Sequence, residues 1–411
     1  MGMMAQMKRQ ENHDTLPKRR LLITASTFPR WEKDTEPRFV LDYAKAMGEY
    51  YDVTVLVPAF PGAGSKEVLE GVKVERYHYC AIHKYETLCY PGAIVPRIKE
   101  KKIRIFLVPL LMGALYFKLK KNMDKFDIVH AHWLVPQGIV QSFIKDKPYI
   151  VTGHGGDITS LNFRGMRALK KKCIKAARAV TVVSEALKEK TDELCPGISA
   201  SIIPMGCDTE LFSSENRIEN FWGQNDRKVI LFVGRLAEIK GVTYLIEAME
   251  QVQGALLIIA GKGDREEELR GQAEKLGDKV LFIGSRTHEE LATVYASADI
   301  FVAPSITVKG GGKEGFGLTI IEAMASGVPV IASKTGGITD ILSDGFNGLF
   351  VEEKDADQIA AQIRHLMEDA DLRETLVKNG RDTAQRYSYR NIAARYYELI
   401  EKNMGEQAGC P

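Results

Sequence analysis

Short apolar runs recur along the chain, with stretches of helical spacing between them. Leu21 to Ala25, Val53 to Val57, Ile128 to His130, Tyr149 to Thr152 and Ala179 to Val183 each predict a strand. Phe39 to Gly48 and Met166 to Ala177 predict amphipathic helices among them. Apolar strands separated by helices predict a parallel sheet covered on both faces. The pattern then starts again, at Val229 to Val233, Leu256 to Ala260, Val280 to Ile283, Ile300 to Ala303 and Val328 to Ala332. The fold class that follows is α/β, with two doubly wound, Rossmann-like domains facing across a cleft. Between the two series, Pro204 to Arg227 loses periodicity and has the composition of a linker. Expected boundaries are a disordered leader over 1–20, an N-terminal domain over 21–205 and a C-terminal domain over 206–387. Helical sequence fills Asp355 to Met404.

One run breaks the alternation. Ile105 to Phe117 is apolar throughout, with Lys99, Lys101 and Lys102 before it and Lys118, Lys120 and Lys121 after it. Runs of about 10–14 residues are too short to span a bilayer. A buried helix of the first domain is the preferred expectation, and a peripheral contact with a membrane surface is its competitor.

Composition narrows the class. A chain of 411 residues suits two domains, and a formal net charge of +2 gives no reason to expect nucleic acid. The six cysteines show neither a C-x-x-C pair nor zinc spacing. Together with a leader that has no signal-peptide stretch, they point to a cytoplasmic chain.

The chemistry concentrates in Glu314-Gly315-Phe316-Gly317-Leu318-Thr319-Ile320-Ile321-Glu322-Ala323-Met324-Ala325-Ser326-Gly327-Val328-Pro329. Gly315 and Gly317 permit a tight turn, and the spacing from Leu318 onward predicts a helix. Glu314 then lies at the helix mouth, where backbone N–H groups bind phosphate, and Glu322 lies one to two turns inside. The alternative is a helix with an acidic N-terminus, favoured by its dipole.

This string resembles the signature of the retaining glycosyltransferases of family 4, which have the GT-B fold. The resemblance covers about Leu21 to Tyr389. It implies that Glu314 contacts hydroxyls of the donor sugar and Glu322 the ribose of the nucleotide. It also implies that the end of the chain, about 388–411, crosses back onto the first domain. Just upstream, Lys309-Gly310-Gly311-Gly312-Lys313 lengthens the approach to Glu314 and implies a mobile loop.

Gly234, Arg235 and Lys240 follow a predicted strand, as suits a diphosphate site; a solvated basic loop is the alternative. The family gives the matching arginine and lysine the donor's diphosphate. Gly261 and Gly263 form a Gly-x-Gly whose third fingerprint position is Glu266, which argues against a nicotinamide cofactor. The family sets that loop, and Ile283-Gly284-Ser285-Arg286, beside the base. Gly336-Gly337 could either offer N–H groups to phosphate or simply enter a helix.

In the first domain, His154 stands between glycines in Thr152-Gly153-His154-Gly155-Gly156-Asp157. The family's histidine in this pattern contacts the donor sugar, which makes His154 the first-domain candidate and Asp157 the second. Asp208, in Gly206-Cys207-Asp208, reads as structural. His130 and His132 share a strand face and could seed a metal site, which would suit a metal-dependent hydrolase. No further His/Asp cluster completes that site, so no metal and no cofactor are expected. Phe28-Pro29-Arg30 and Arg38 could line the acceptor side.

The expected function is transfer of a sugar from a nucleotide-sugar donor to a hydroxyl acceptor, saccharide or lipid-linked. A GT-B phosphorylase or epimerase and a non-catalytic sugar-nucleotide binding protein are the alternatives.

Overall fold

A computed structural model describes residues 17–405 apart from 91, 224 and 225. Most of the expected leader, the end of the expected 388–411 segment and Cys410 lie outside the described residues. Arg20, assigned above to the leader, is already in a strand and pairs with Asp127 at 2.7 Å.

The first sheet contains β1 (Arg20–Thr24), β2 (Asp52–Pro58), β3 (Lys66–Leu69), β4 (Val72–Tyr77), β5 (Ile128–His132), β6 (Tyr149–Gly153), β7 (Ala179–Val182) and β8 (Ser201–Ile202). Their order is β3-β4-β2-β1-β5-β6-β7-β8, and only the β3–β4 pair is antiparallel. The second sheet contains β9 (Lys228–Val233), β10 (Ala255–Ala260), β11 (Val280–Gly284), β12 (Ile300–Ala303), β13 (Val330–Ser333) and β14 (Leu349–Val351), in the parallel order β11-β10-β9-β12-β13-β14. Each sheet runs outward from one strand, returns, and runs out the other way. The switch points therefore fall between β1 and β5 and between β9 and β12, where open α/β sheets bind ligands at their carboxyl ends. This is the two-domain GT-B arrangement.

The apolar runs read as strands above all became strands, and all but the edge strand β11, which is partly exposed, are largely buried. Three strands and a hairpin partner escaped that reading. In β4, charged Lys73, Glu75 and Arg76 interrupt the apolar signal, and β3 is a polar edge. Glu70 and Gly71 join the two with φ of 47° and 86°, as a two-residue hairpin turn requires. β8 and β14 are too short to show a period.

The run Ile105 to Phe117 is only partly the buried helix expected. A 3-10 turn, Lys102–Phe106, leads into the helix Leu107–Asn122, which buries the stripe Leu111, Leu115 and Leu119 against the sheet. Ile103, Ile105, Phe106, Leu110 and Phe117 stay exposed. Among the described residues no helix is long and apolar enough to cross a membrane.

The described residues end in three helices, Ala356–Glu368, Ala370–Arg386 and Tyr389–Gly405. Asp355 caps the first by accepting from Gln358 N–H at 2.8 Å. The last returns to the first sheet: Ile392, Ala393, Tyr396 and Ile400 are buried in one cluster with Val40, Leu41, Tyr43, Ala44 and Met47. At about 1.5–3 kcal/mol for each fully buried large apolar side chain, this contact ties the two ends of the chain firmly.

Candidate active site

Strand β9 ends at Val233, and a 3-10 turn over Glu238–Lys240 follows. Gly241 comes next with φ 62°, and a Cβ there would meet the Pro304 carbonyl oxygen at 1.9 Å. Only glycine fits, and this close approach seats Lys240 beside the loop after β12. Its Nζ lies 2.6 Å from Glu314 Oε2. Arg235 is exposed in the loop between β9 and that turn.

Glu314 opens the turn before the helix Leu318–Ala325, and backbone braces it from behind. The Gly337 N–H donates to the Glu314 carbonyl at 3.0 Å. A Cβ on Gly336 or Gly337 would lie 2.2 Å from the carbonyl oxygen of Glu314 or Gly315. Burial alone would raise the Glu314 carboxyl. The charge and hydrogen bond of Lys240, with the Gly315 N–H and Arg235, outweigh it and hold the group below its ordinary value. Glu322, one turn into the helix, accepts from the Tyr295 hydroxyl at 2.7 Å. Burial raises its carboxyl, against the lowering influence of His288 and Tyr295.

In the first domain the β5–β6 register sets His132 opposite Thr152. Residues two apart share a strand face, which puts His154 next to His132. Nδ1 of His132 and Nε2 of His154 are 3.1 Å apart, and the rings are nearly parallel at 17°. His130 contacts the Tyr43 hydroxyl through Nδ1 at 2.8 Å and the Thr152 hydroxyl through Nε2 at 2.7 Å. Burial pushes His130 and His154 down to about 3 and His132 well below its ordinary value; neighbouring imidazoles add to the effect on His130 and His132. All three are neutral at pH 7.

The two domains meet at these loops. A Cβ on Gly315 would lie 2.8 Å from the His154 carbonyl oxygen. One on Gly155, whose φ is 135°, would lie 3.8 Å from Gly315 Cα. Glycine on both sides lets backbone close on backbone, with a carboxylate, two cations and a neutral imidazole at the seam. Such a set can neutralise a diphosphate and hydrogen-bond sugar hydroxyls.

Comparison with known proteins gives the same reading. Residues 37–211 match the family described as "Glycosyltransferase Family 4", and residues 214–383 match "Glycosyl transferases group 1". An uncharacterized glycosyltransferase of Methanocaldococcus jannaschii is 33% identical over 310 residues, which is 69% of this chain and 78% of that one. The chain belongs to glycosyltransferase family 4. The phosphatidyl-myo-inositol mannosyltransferase of Mycobacterium tuberculosis is 30% identical over 314 residues, 72% of this chain and 79% of that one. Among solved structures, Anabaena HepE in complex with UDP and glucose superposes with a TM-score of 0.71 at 21% identity, covering 93% of this chain and 99% of that one. Membership makes this chain a hexosyltransferase of the GT-B fold.

Several residues singled out from sequence also make packing contacts that hold this family 4 site together. The Phe316 side chain is buried against Tyr387, ring centroids 5.6 Å apart, and Leu318 bridges two core clusters. Cβ atoms on Gly261 and Gly263 would strike the carbonyl oxygens of Gly234 and Leu236 at 1.9 and 2.1 Å, so those glycines pack loop on loop. Gly317, with φ 108°, makes the turn into the helix, and Ile283 is half-buried in β11. The Gly337 N–H is engaged by Glu314, which leaves it unavailable to phosphate.

Asp157 likewise serves the backbone. Oδ1 accepts from the N–H groups of His154 and Gly155 at 3.0 and 2.9 Å, and Oδ2 from Leu134 at 2.8 Å. Asp208 caps Leu211 at 2.9 Å. The glycine-rich segment before Glu314 closes its own turn, Val308 N–H to Gly312 carbonyl at 3.0 Å.

The residues expected on the acceptor side have partners within the protein. Phe28 is in the core, and Arg30 is locked on Asp34 at 2.6 Å. Arg38 is buried between Glu70 and Asp42 at 2.5 and 3.1 Å, with Glu289 of the other domain at 3.8 Å. These guanidinium groups already have carboxylate partners.

Sequence reasoning missed Tyr295, His288 and Asp42, which surround Glu322. Each sits on an amphipathic helix where it reads as an ordinary interface residue. The His132–His154 contact was legible in principle, from parallel strands whose ends carry His-x-His and Gly-His-Gly.

Proposed function

We propose that this family 4 chain moves a hexose from a UDP-sugar or GDP-mannose to a hydroxyl of a saccharide or lipid-linked acceptor, with retention at the anomeric carbon, in polysaccharide or glycolipid assembly. The observation that carries this is the Lys240–Glu314 pair held against the His154 loop. Residues 206–387 bind the donor, and residues 21–205 with the returning helix carry the acceptor side.

In this reading Arg235 and Lys240 take the diphosphate, and Lys240 exchanges Glu314 for a phosphate oxygen. Glu314 is thereby released to accept hydrogen bonds from the sugar, and Glu322 accepts from the ribose. Neutral His154 offers a hydrogen bond near the reacting carbon without adding a charge. The departing phosphate takes the acceptor proton, and catalysis rests on positioning and charge stabilisation without a divalent ion. A relative named for mannosyl transfer to phosphatidyl-myo-inositol and a neighbour solved with UDP and glucose support these donor and acceptor classes.

The exposed apolar side chains from Ile103 to Phe117, with exposed Lys99, Lys101, Lys102 and Lys121, support a peripheral contact with the inner face of an anionic membrane. Lys118 and Lys120 contribute less, since Glu75 and Asp146 hold them at 2.8 and 2.7 Å. Changing Lys101, Lys102 and Lys121 to glutamine should lower sedimentation with anionic vesicles, by about 1 kcal/mol per lysine at low salt.

The deciding experiment is a thermal-shift screen of UDP, GDP and ADP, then of their sugar conjugates. A ligand that binds only the folded chain raises its stability. The active conjugate is then supplied with acceptor, and the anomeric configuration of the product is read by NMR. Inversion would remove the retaining assignment; no shift with any nucleotide would remove the donor assignment.

A further inference from the structure

Beyond the β4 end of the first sheet, His78, His83 and Glu86 bring one ligand atom each to within 4.8 Å of one another. We propose that these side chains form a site for one divalent transition-metal ion, with zinc the natural probe.

Glu86 is the built part of the site. Its side chain is fully buried, and Oε1 accepts from the backbone N–H groups of Tyr79 and Cys80 at 2.6 and 3.1 Å. That leaves Oε2 aimed at His78 Nδ1, 2.8 Å away. A carboxylate oriented by outer hydrogen bonds is the usual support of a metal-ligating carboxylate. The His83 ring stacks on His78, centroids 3.6 Å apart and planes within 6°.

Tetrahedral ligands at bonds of about 2.0–2.1 Å stand roughly 3.3 Å apart. His78 and Glu86 at 2.8 Å stand a little closer than that, and no pair of the three exceeds 4.8 Å. Parallel ring planes do not direct two lone pairs to one point, so binding turns His83 out of the stack. It can turn, being exposed on the short 3-10 segment His83–Tyr85. The His78 side chain is 44% exposed, which gives an ion and a water ligand access from solvent. The ion takes the place of the Nδ1 proton, which the other nitrogen of His78 then carries.

Two imidazoles and a carboxylate suit zinc, nickel or copper and not magnesium or calcium. The site is structural, not catalytic: four strand spacings separate β4 from β6, about 19 Å. It would clip the segment after β4, which Arg97 and Arg104 already hold through Thr87 at 3.1 Å each.

The test is calorimetric titration of zinc chloride into the chelator-stripped full chain, into His83→Ala and into His78→Ala/His83→Ala. The double variant should bind one ion fewer per chain than the parent, and His83→Ala should bind at least tenfold more weakly at that site. Zinc should raise the Tm of the parent more than that of either variant. Cobalt should give the visible absorption of a four-coordinate ion in the parent, lost in His83→Ala. The difference between proteins is the reading, so zinc on His130, His132 and His154 cancels. Equal stoichiometry in parent and double variant, or no binding by the parent, would overturn the site and leave only a His78–Glu86 hydrogen bond. Sugar transfer is not the readout, so either result leaves the proposed function untouched.

Discussion

The two sides of the seam are built in opposite ways. On the second domain, Glu314 is held by glycine backbone packed on glycine backbone, with one cation on its carboxylate. On the first, His154 is held by side chains, through Asp157 on its backbone and His132 on its ring. Backbone against backbone demands glycine at fixed spacing, and that spacing is visible in a sequence. A side-chain network demands only that its members meet in space, and nothing in linear order announces it. The imidazoles of the first side are also neutral, while the second side sets the Lys240–Glu314 ion pair against them.

The largest expected effect tests that separation of charge. His154→Ala should lower sugar transfer by three orders of magnitude or more, about 4 kcal/mol, while affinity for the nucleoside diphosphate stays within about twofold. Collapse of nucleotide affinity in this variant would show that the first side also binds the nucleotide.

Lys240→Ala should come next. It removes the cation paired with Glu314 and should reduce turnover by two or more orders of magnitude, on the order of 3 kcal/mol. Turnover of the parent should survive excess chelator. Loss in chelator, restored by magnesium or manganese, would mean that an ion and not Lys240 neutralises the diphosphate.

These contrasts explain what the sequence made legible. The continuous apolar strands and the Glu314 to Pro329 string show the parallel sheets and one wall of the site, because burial on both faces and tight glycine turns leave strict patterns. The Lys240–Glu314 pair could be expected only as two members of one site, since 74 residues separate them. Asp157 looked like a ligand residue because a carboxylate beside Gly-His-Gly fits either role. Asp42, four residues on, was the one partner of Arg38 in linear reach; Glu70 and Glu289 come from a hairpin and from the other domain. The exposed side of the Leu107–Asn122 helix was hidden for another reason: an unbroken apolar run has no polar face to mark which side meets solvent.

A smaller effect should divide the two carboxylates of the second side. Glu322→Ala should weaken nucleotide binding by about ten- to hundredfold, the loss of a charged hydrogen bond of about 1.5–3 kcal/mol, whereas Glu314→Ala should mainly lower turnover. Equal loss of nucleotide affinity in both would remove the division of roles.

The smallest effect concerns stability and belongs to the first side alone. His130 and His154 are depressed to about 3, and His132 lies well below its ordinary value, chiefly by burial. In the unfolded chain these groups titrate near 6.5. Between the two values the unfolded state binds the extra protons, so their contribution is complete above about pH 6.5 and falls as the pH drops toward about 3. Each histidine should cost about 1.4 kcal/mol per pH unit in that window. His132→Asn keeps a polar atom near the position of Nδ1 but cannot titrate. Its unfolding free energy, measured by denaturant between pH 7 and pH 5, should fall less steeply than that of the parent by one proton's slope. Identical slopes would mean that His132 is already protonated in the folded chain, and the neutral His132–His154 contact would have to be replaced by a charged one.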